Sequence, residues 1–192
     1  IYEHINYIGR HESIAQFPGM KERSIIVNGV SKAYAMTGWR IGFIAAPEWI
    51  VKGCNKLQGQ YTSGPCSVSQ KAAEAAYTMS QDCVETMRQA FERRRDLIVE
   101  LAKQIPGLEV NKPEGAFYLF PKCSSFYGKT DGTRTINNST DLAMYLLEEG
   151  HVATVGGDAF GAPECFRMSY ATSADNIREA MRRIKETLAK LQ

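Results

Sequence analysis

The chain has 192 residues, of which 44% are hydrophobic and 23% are charged, and its net charge is +2. That length suits one large domain or one and a half, and the hydrophobic share excludes intrinsic disorder. The charge balance excludes the strongly basic surface of a dedicated nucleic-acid-binding protein, and no apolar run approaches the roughly 18 residues of a membrane span. Five scattered cysteines without a C-x-x-C pair predict a reducing, cytoplasmic location.

The first third of the chain predicts a buried strand and a second strand, with an irregular loop between them. Apolar runs at 24–28 and 41–46 are typical of strands, and the loop covers 30–40. Tyr34 and Trp39 in this loop are expected to pack in the core. Helices are predicted next, and their limits are 48–60, 67–79 and 82–104.

After the break at Pro106 and Gly107, short strands alternate with helices. The pattern predicts strands at 108–110, 116–120, 152–155 and 165–170, and helices at 140–149 and from a cap at Ser173 onward. Residues 123–139 are polar and predict an excursion over the surface. The whole pattern indicates an α/β chain with a boundary near Pro106, and we expect domain limits of 1–82, 83–105 for a linking helix, and 106–192.

The stretch 29–42 carries the residues best suited to chemistry. Lys32 follows a predicted strand, where partial desolvation favours the neutral, nucleophilic amine. Arg40 lies at the entry to the next strand and offers a planar fork for a phosphate. A reactive lysine with a phosphate clamp is what pyridoxal phosphate requires, although an isolated pair would more often be a surface lysine and a structural arginine.

Taken whole, residues 29–42 resemble the pyridoxal-phosphate attachment motif of class I aminotransferases. The order is Gly, apolar, small, Lys, two free positions, small, apolar, any, Gly, any, Arg, apolar, Gly. Residues 1–4, 114–118, 156–161 and 166–171 are similar to other signatures of that family. The sequence of residues 35–40 is most similar to the branch of the family that contains many bacterial aspartate aminotransferases.

This resemblance implies a role for four residues. Lys32 would hold pyridoxal 5'-phosphate and move the α-proton of the substrate, and Arg40 would anchor the cofactor phosphate. Tyr2 would donate a hydrogen bond to the phenolic oxygen of the cofactor, and Arg167 would bind the substrate α-carboxylate. The implied reaction transfers an amino group between an amino acid, aspartate or a similar one, and a 2-oxo acid in a homodimer. No metal site is expected, because the three histidines lie far apart without ligand spacing.

The resemblance also places the family's pyridinium-binding aspartate and a whole amino-terminal half before Ile1. We therefore expect the carboxy-terminal part of a pyridoxal-phosphate-dependent transferase fold, with little or no activity of its own. In this view residues 1–82 are a remnant of the large α/β domain, and residues 106–192 are a complete small α+β domain. Two alternatives stay open: another reaction on the same scaffold, such as that of a carbon–sulfur lyase, or a non-catalytic carboxy-terminal module.

Overall fold

The computed structural model describes residues 1–192, whose contacts divide the chain into two compact units. Unit 1 is Ile1–Arg88 and unit 2 is Gln89–Gln192. Helices and strands are mixed along the chain, which agrees with the predicted α/β class, and the strands that are present pair antiparallel. None of the helices combines the length and apolar character that crossing a membrane would need.

Unit 1 is built around a two-stranded ribbon followed by helices. Strand β1 is Ile26–Gly29 and pairs antiparallel with β2, Gly42–Ala45. Helices α1 (Glu48–Tyr61) and α2 (Ser67–Thr78) follow, and the long helix α3 (Asp82–Lys103) begins in this unit. All three helices end within one or two residues of their predicted limits, because apolar periodicity and the breaks at Gly64-Pro65 and Pro106-Gly107 define them locally.

The prediction that β1 is buried is wrong for most of its side chains, and most of β2 is exposed as well. Val27 is 72% exposed and Phe43 is 42% exposed, and α1 buries none of its residues. Continuous apolar runs are typical of strands that are covered on both faces. Here Ile26 and Val27, which point to opposite faces of β1, are both exposed, so neither face of the ribbon is fully covered.

Unit 2 has a three-stranded antiparallel sheet in the order β3–β5–β4. Its strands are β3 (Tyr118–Leu119), β4 (Val155–Gly156) and β5 (Phe166–Ser169), and its helices are α4 (Ser139–Gly150) and α5 (Ala174–Leu188). The predicted cap is confirmed, because the Ser173 side-chain oxygen accepts a hydrogen bond from the Asn176 backbone N–H at 3.2 Å. Helix α5 then buries a stripe of residues at helical spacing, namely Ile177, Met181, Ile184 and Leu188.

Two predictions in unit 2 need correction. The segment 123–139 is not a simple surface excursion, since Cys123, Phe126 and Ile136 are buried in it. The segment is mostly polar, so its sequence did not indicate that these three apolar residues are buried. The predicted strand at 108–110 is reduced to a single antiparallel bridge between Glu109 and Lys122, because no longer stretch of backbone pairs with it.

Candidate active site

The loop between β1 and β2 has a narrow neck formed by two glycines. Gly29 of β1 lies opposite Gly42 of β2. A Cβ atom at Gly29 would lie 2.8 Å from the Ile41 backbone oxygen, so this close approach of the strands needs glycine. Lys32 follows shortly after the neck and is half-buried. The buried residues Val30 and Ala33 lie on either side of Lys32 and restrict the position of its backbone.

Arg40 is folded back on the same loop. Its Nη1 donates a hydrogen bond to the Thr37 carbonyl at 2.8 Å, and the Thr37 hydroxyl donates to the Ser31 carbonyl at 3.0 Å. Arg40 has a left-handed backbone with φ 55°, which is costly for a residue with a side chain and is found where the surrounding structure imposes it. The guanidinium is exposed and makes no ion pair, so its charge is not neutralised by a carboxylate of the chain.

The segment of Tyr2 is attached to the same strand and loop. Asn28 in β1 donates through Nδ2 to Glu3 Oε1 at 2.6 Å, and its own Oδ1 accepts from the Gly29 N–H at 2.8 Å. The rings of His4 and Tyr34 pack edge to face with centroids 5.8 Å apart. Unit 1 therefore brings the half-buried Tyr2 segment beside the strand that ends at the Lys32 loop.

Tyr34 and Trp39 differ in burial, although both were expected in the core. The Tyr34 hydroxyl donates to Gln81 Oε1 at 2.9 Å, and its ring packs against that of Tyr77. Partial burial, and secondly the Glu3 carboxylate, raise the pKa of Tyr34 above its usual value. The prediction is wrong for Trp39, which is 45% exposed in a 3₁₀ turn on the outer side of the loop.

Arg167 lies in the central strand of the unit 2 sheet, opposite Val155 of β4. Its neighbours Phe166 and Met168 are buried on the other face of the strand, and Arg167 itself is half-buried. The guanidinium carbon lies 4.5 Å from the Tyr118 ring centroid and 4.4 Å from that of Phe160. No carboxylate of the chain pairs with this half-buried guanidinium, which lies against the two aromatic rings.

The four predicted site residues are divided between the units. Unit 1 contains Tyr2, Lys32 and Arg40, and Arg167 belongs to unit 2. Sequence reasoning did not find the contacts that surround them: the Glu3–Asn28 hydrogen bond and the two rings on Arg167. The rings of Tyr118 and Phe160 belong to the segments 114–118 and 156–161, which resemble signatures of the family. This resemblance is the only feature of the sequence that points to these two residues.

The donor set in unit 1 fits an aldehyde cofactor that carries a phosphate. A lysine amine can bond to an aldehyde carbon, and an arginine without a carboxylate partner can bind the phosphate. Gly38, close to Arg40 in sequence, has no atom within 4 Å of the place where its Cβ would be, so the backbone there is open to a ligand. The residues present are therefore suited to pyridoxal phosphate.

Comparison with known proteins gives the family of the chain. A family model described as aminotransferase class I and II matches residues 1–184. A bifunctional aspartate aminotransferase and glutamate/aspartate-prephenate aminotransferase of Petunia hybrida is 48% identical over 197 residues, which cover 100% of this chain and 41% of the relative. An aspartate aminotransferase of Rhizobium meliloti is 49% identical, over 96% of this chain and 46% of its own length.

Solved structures agree with these sequence matches. The crystal structure of the Rhizobium meliloti aspartate aminotransferase has a TM-score of 0.94 and 47% identity, covering 100% of this chain and 49% of that one. An aromatic aminotransferase of Pyrococcus horikoshii has a TM-score of 0.88 and 41% identity, covering 98% and 49%. The chain spans about half the length of the curated relatives it matches. On the extent of these matches and the residues they include, the chain belongs to the aminotransferase class I and II family.

Proposed function

We propose that the protein carrying this chain is a pyridoxal-phosphate-dependent aminotransferase. It would move an amino group between an amino acid, aspartate or a similar one, and a 2-oxo acid. The observation that carries this proposal is the hydrogen-bonded loop that holds Lys32 and an Arg40 without a carboxylate partner. The names of the relatives, aspartate and prephenate aminotransferases, support the substrate class.

Three residues of unit 1 would hold the cofactor. The Lys32 amine would bond to its aldehyde carbon, Arg40 would pair with its phosphate, and the Tyr2 hydroxyl would donate to its phenolic oxygen. When bound, pyridoxal phosphate supplies an electron sink for the carbanion at the substrate α-carbon. The Glu3–Asn28 hydrogen bond supports this arrangement, because it links the Tyr2 segment to the strand that leads into the Lys32 loop.

Lys32 would have a second task, as general base and acid. Its Nζ would accept the α-proton of the amino acid and later donate a proton back. Such a transfer is efficient only when the amine is held close to the reacting carbon. Burial of Val30 and Ala33 supports this role, since it fixes the backbone on both sides of the lysine.

Arg167 would bind the α-carboxylate of the substrate. Guanidinium and carboxylate form two parallel hydrogen bonds in one plane, which orients the amino acid as well as holding it. The support in this chain is that Arg167 has aromatic partners and no carboxylate partner, so its charge is available to an anion.

A homodimer and a cytoplasmic location also belong to the proposal. Exposed apolar side chains on α1, which include Trp49, Leu57 and Tyr61, supply surface that a second copy can cover. The scattered free cysteines support a reducing compartment. Light scattering of the purified protein measures its mass, and a mass of one chain would contradict the homodimer.

The activity is tested by mixing the purified full-length protein that carries this chain with pyridoxal phosphate, 2-oxoglutarate and a panel of amino acids. We expect glutamate to form with aspartate or a similar donor, and Lys32→Arg to lower the rate by a factor of about 10² to 10⁴. Lys52→Arg is the matched control, because Lys52 is exposed and pairs only with Glu48.

Two other results would contradict transamination. Release of pyruvate and ammonia would favour a carbon–sulfur lyase, the runner-up reaction on this scaffold. Absence of turnover with every amino acid, together with equal binding of pyridoxal phosphate by wild type and Lys32→Arg, would favour a non-catalytic module.

A further inference from the structure

The proposed function gives no role to the two aromatic rings that lie against Arg167. We propose that Tyr118 and Phe160 are positioning residues, an aromatic clamp that fixes the plane of the Arg167 guanidinium and so sets the affinity for the substrate carboxylate. This inference rests on the proposed function. It goes beyond it by assigning carboxylate affinity to two residues that do not themselves bind the carboxylate.

The register of the sheet places Tyr118. In the antiparallel pair β3–β5, Tyr118 lies directly opposite Ser169. Arg167 is two residues from Ser169 on the same strand and therefore on the same face. Tyr118 and Arg167 are thus diagonal neighbours across the strands, within reach of a tyrosine ring and a long side chain. The 4.5 Å between the guanidinium carbon and the ring centroid follows from this register.

Phe160 is placed by a loop that is tied to the start of α4. The loop is a 3₁₀ turn, Gly157–Phe160. Asp158 Oδ2 accepts hydrogen bonds from the buried Ser139 hydroxyl at 2.9 Å and from the Thr140 hydroxyl at 3.2 Å. A Cβ at Gly157 would overlap the carbonyl oxygens of Ala162 and Cys165, so the turn needs glycine at this position.

That anchoring matters because Phe160 is 46% exposed and has no core to hold it. Its ring packs on Arg167 on one side and makes an edge-to-face contact with Phe120, with centroids 5.9 Å apart. The position of the ring therefore comes from the loop and from these two partners. Because the loop is anchored, the exposed Phe160 ring keeps its position beside the Arg167 guanidinium.

Arg167 differs in its partners from Arg134 and Arg182 of the same unit. Arg134 pairs with Glu148 and Arg182 with Glu186, each at 2.6 Å. Those charges are neutralised within the chain. Two aromatic rings attract the Arg167 cation through their negative faces, and they leave its N–H groups in need of an acceptor. The clamp therefore holds the arginine in place without consuming the hydrogen bonds that a carboxylate needs.

The clamp also explains why arginine suits this place better than lysine. A guanidinium is flat, so rings can cover its faces while its edge makes two parallel hydrogen bonds. With its plane fixed, a carboxylate has to approach in that plane. Little side-chain freedom is lost on binding, which raises affinity without a new contact.

The test compares Tyr118→Leu and Phe160→Leu with the wild-type holoenzyme. We expect each variant to raise the KM for the amino acid and the Kd for the dicarboxylate maleate by about 3- to 20-fold. The rate constant kcat and the affinity for pyridoxal phosphate should stay within about twofold of wild type. Tyr118→Phe and Phe160→Tyr should restore both constants, since they keep the ring.

Phe126→Leu is the matched control. Phe126 is also a phenylalanine of unit 2 beneath a cation, with Lys129 at 5.9 Å from its ring centroid, and it does not contact Arg167. This variant should leave the KM and the maleate Kd unchanged. Circular dichroism of all variants reports whether the fold is kept.

The possible outcomes separate the clamp from the proposed function. Maleate binding that is equal in wild type and both leucine variants would overturn the clamp and leave the function standing. Equal weakening in Phe126→Leu, or failure of the ring-restoring variants, would also overturn it. A wild-type protein that neither binds maleate nor transaminates would overturn the proposed function, and the clamp with it.

Discussion

At the scale of single residues, Lys32 and Arg40 were predicted as site residues because glycines and small residues surround them in an unbroken stretch. Their partners could not be found in this way. Asn28 and Glu3 are 25 positions apart and meet through a side-chain hydrogen bond, and no local pattern indicates such a pair. The rings on Arg167 likewise come from distant segments, so only the folded unit shows them together.

Gly29 offers a test of the neck of the Lys32 loop. Gly29→Ala should lower the free energy of unfolding by about 1–3 kcal/mol, because the new Cβ would lie 2.8 Å from the Ile41 oxygen. Gly38→Ala is the control in the same loop, where the position is open, and should stay within about 0.5 kcal/mol. Urea denaturation measures both. Equal effects would show that the neck has no special steric demand.

Asn28 tests the link between the Tyr2 segment and β1. Asn28→Ala removes the bond to Glu3 and should cost about 1.5 kcal/mol of unfolding free energy. Asn28→Asp should cost more, because it places a second carboxylate against Glu3. Asn111→Ala, at an exposed position in unit 2, is the control and should be near neutral. An Asp variant as stable as wild type in urea denaturation would contradict the link.

At the scale of elements, helices were predicted more closely than strands. Each helix carries its own periodicity and breakers, so α1, α2 and α3 end close to the predicted positions. The extent of a strand depends on what pairs with it. The apolar run at 165–170 forms only Phe166–Ser169, and that at 152–155 only Val155–Gly156, because the pairing partners are short. The apolar anchors of 123–139 gave no periodic signal at all.

The ion pairs of Glu179 in helix α5 make a pH-dependent contribution to the stability of the fold. Hydrogen bonds from Arg182, and secondly from Arg183, lower the pKa of Glu179 from 4.5 to about 2. The pKa of Glu179 is lower in the folded state than in the unfolded state. Its contribution to stability is therefore complete above pH 4.5 and is lost as the pH falls through 2. The stability difference between wild type and Glu179→Gln should therefore shrink between those values.

The control for α5 is Glu100→Gln, at an exposed position of α3. Thermal unfolding at several pH values should show no such convergence for this variant. Added salt should weaken the Glu179 effect, since these charges are exposed. A difference between wild type and Glu179→Gln that is constant from pH 7 to pH 2 would contradict the assignment.

At the scale of the whole molecule, the two units differ in how well they are packed. Helix α1 buries no residue, whereas α5 buries Ile177, Met181, Ile184, Thr187 and Leu188. The domain limits 1–82, 83–105 and 106–192 stay a prediction, beside a contact division that falls after Arg88 inside α3. Sequence patterns indicated that unit 1 is apolar but could not show which of its surfaces stay uncovered.

This difference predicts uneven hydrogen exchange in the 192-residue chain. Amides of α4 and α5 should exchange much more slowly than those of α1, because opening a helix with few buried contacts costs little free energy. Deuterium uptake followed by mass spectrometry of peptides measures this. Equal protection of α1 and α5 would show that exposed area is a poor guide to local stability here.

The central claim is that Lys32 is the residue that binds the cofactor, and covalent trapping tests it most directly. The protein is incubated with pyridoxal phosphate, reduced with borohydride, digested and mapped by mass spectrometry. We predict that the phosphopyridoxyl mass lies on the peptide containing Lys32 and is absent from the Lys32→Arg variant, with Arg40→Ala lowering the yield at limiting cofactor. Labelling spread over other lysines, or unchanged in the Lys32→Arg variant, would contradict the account.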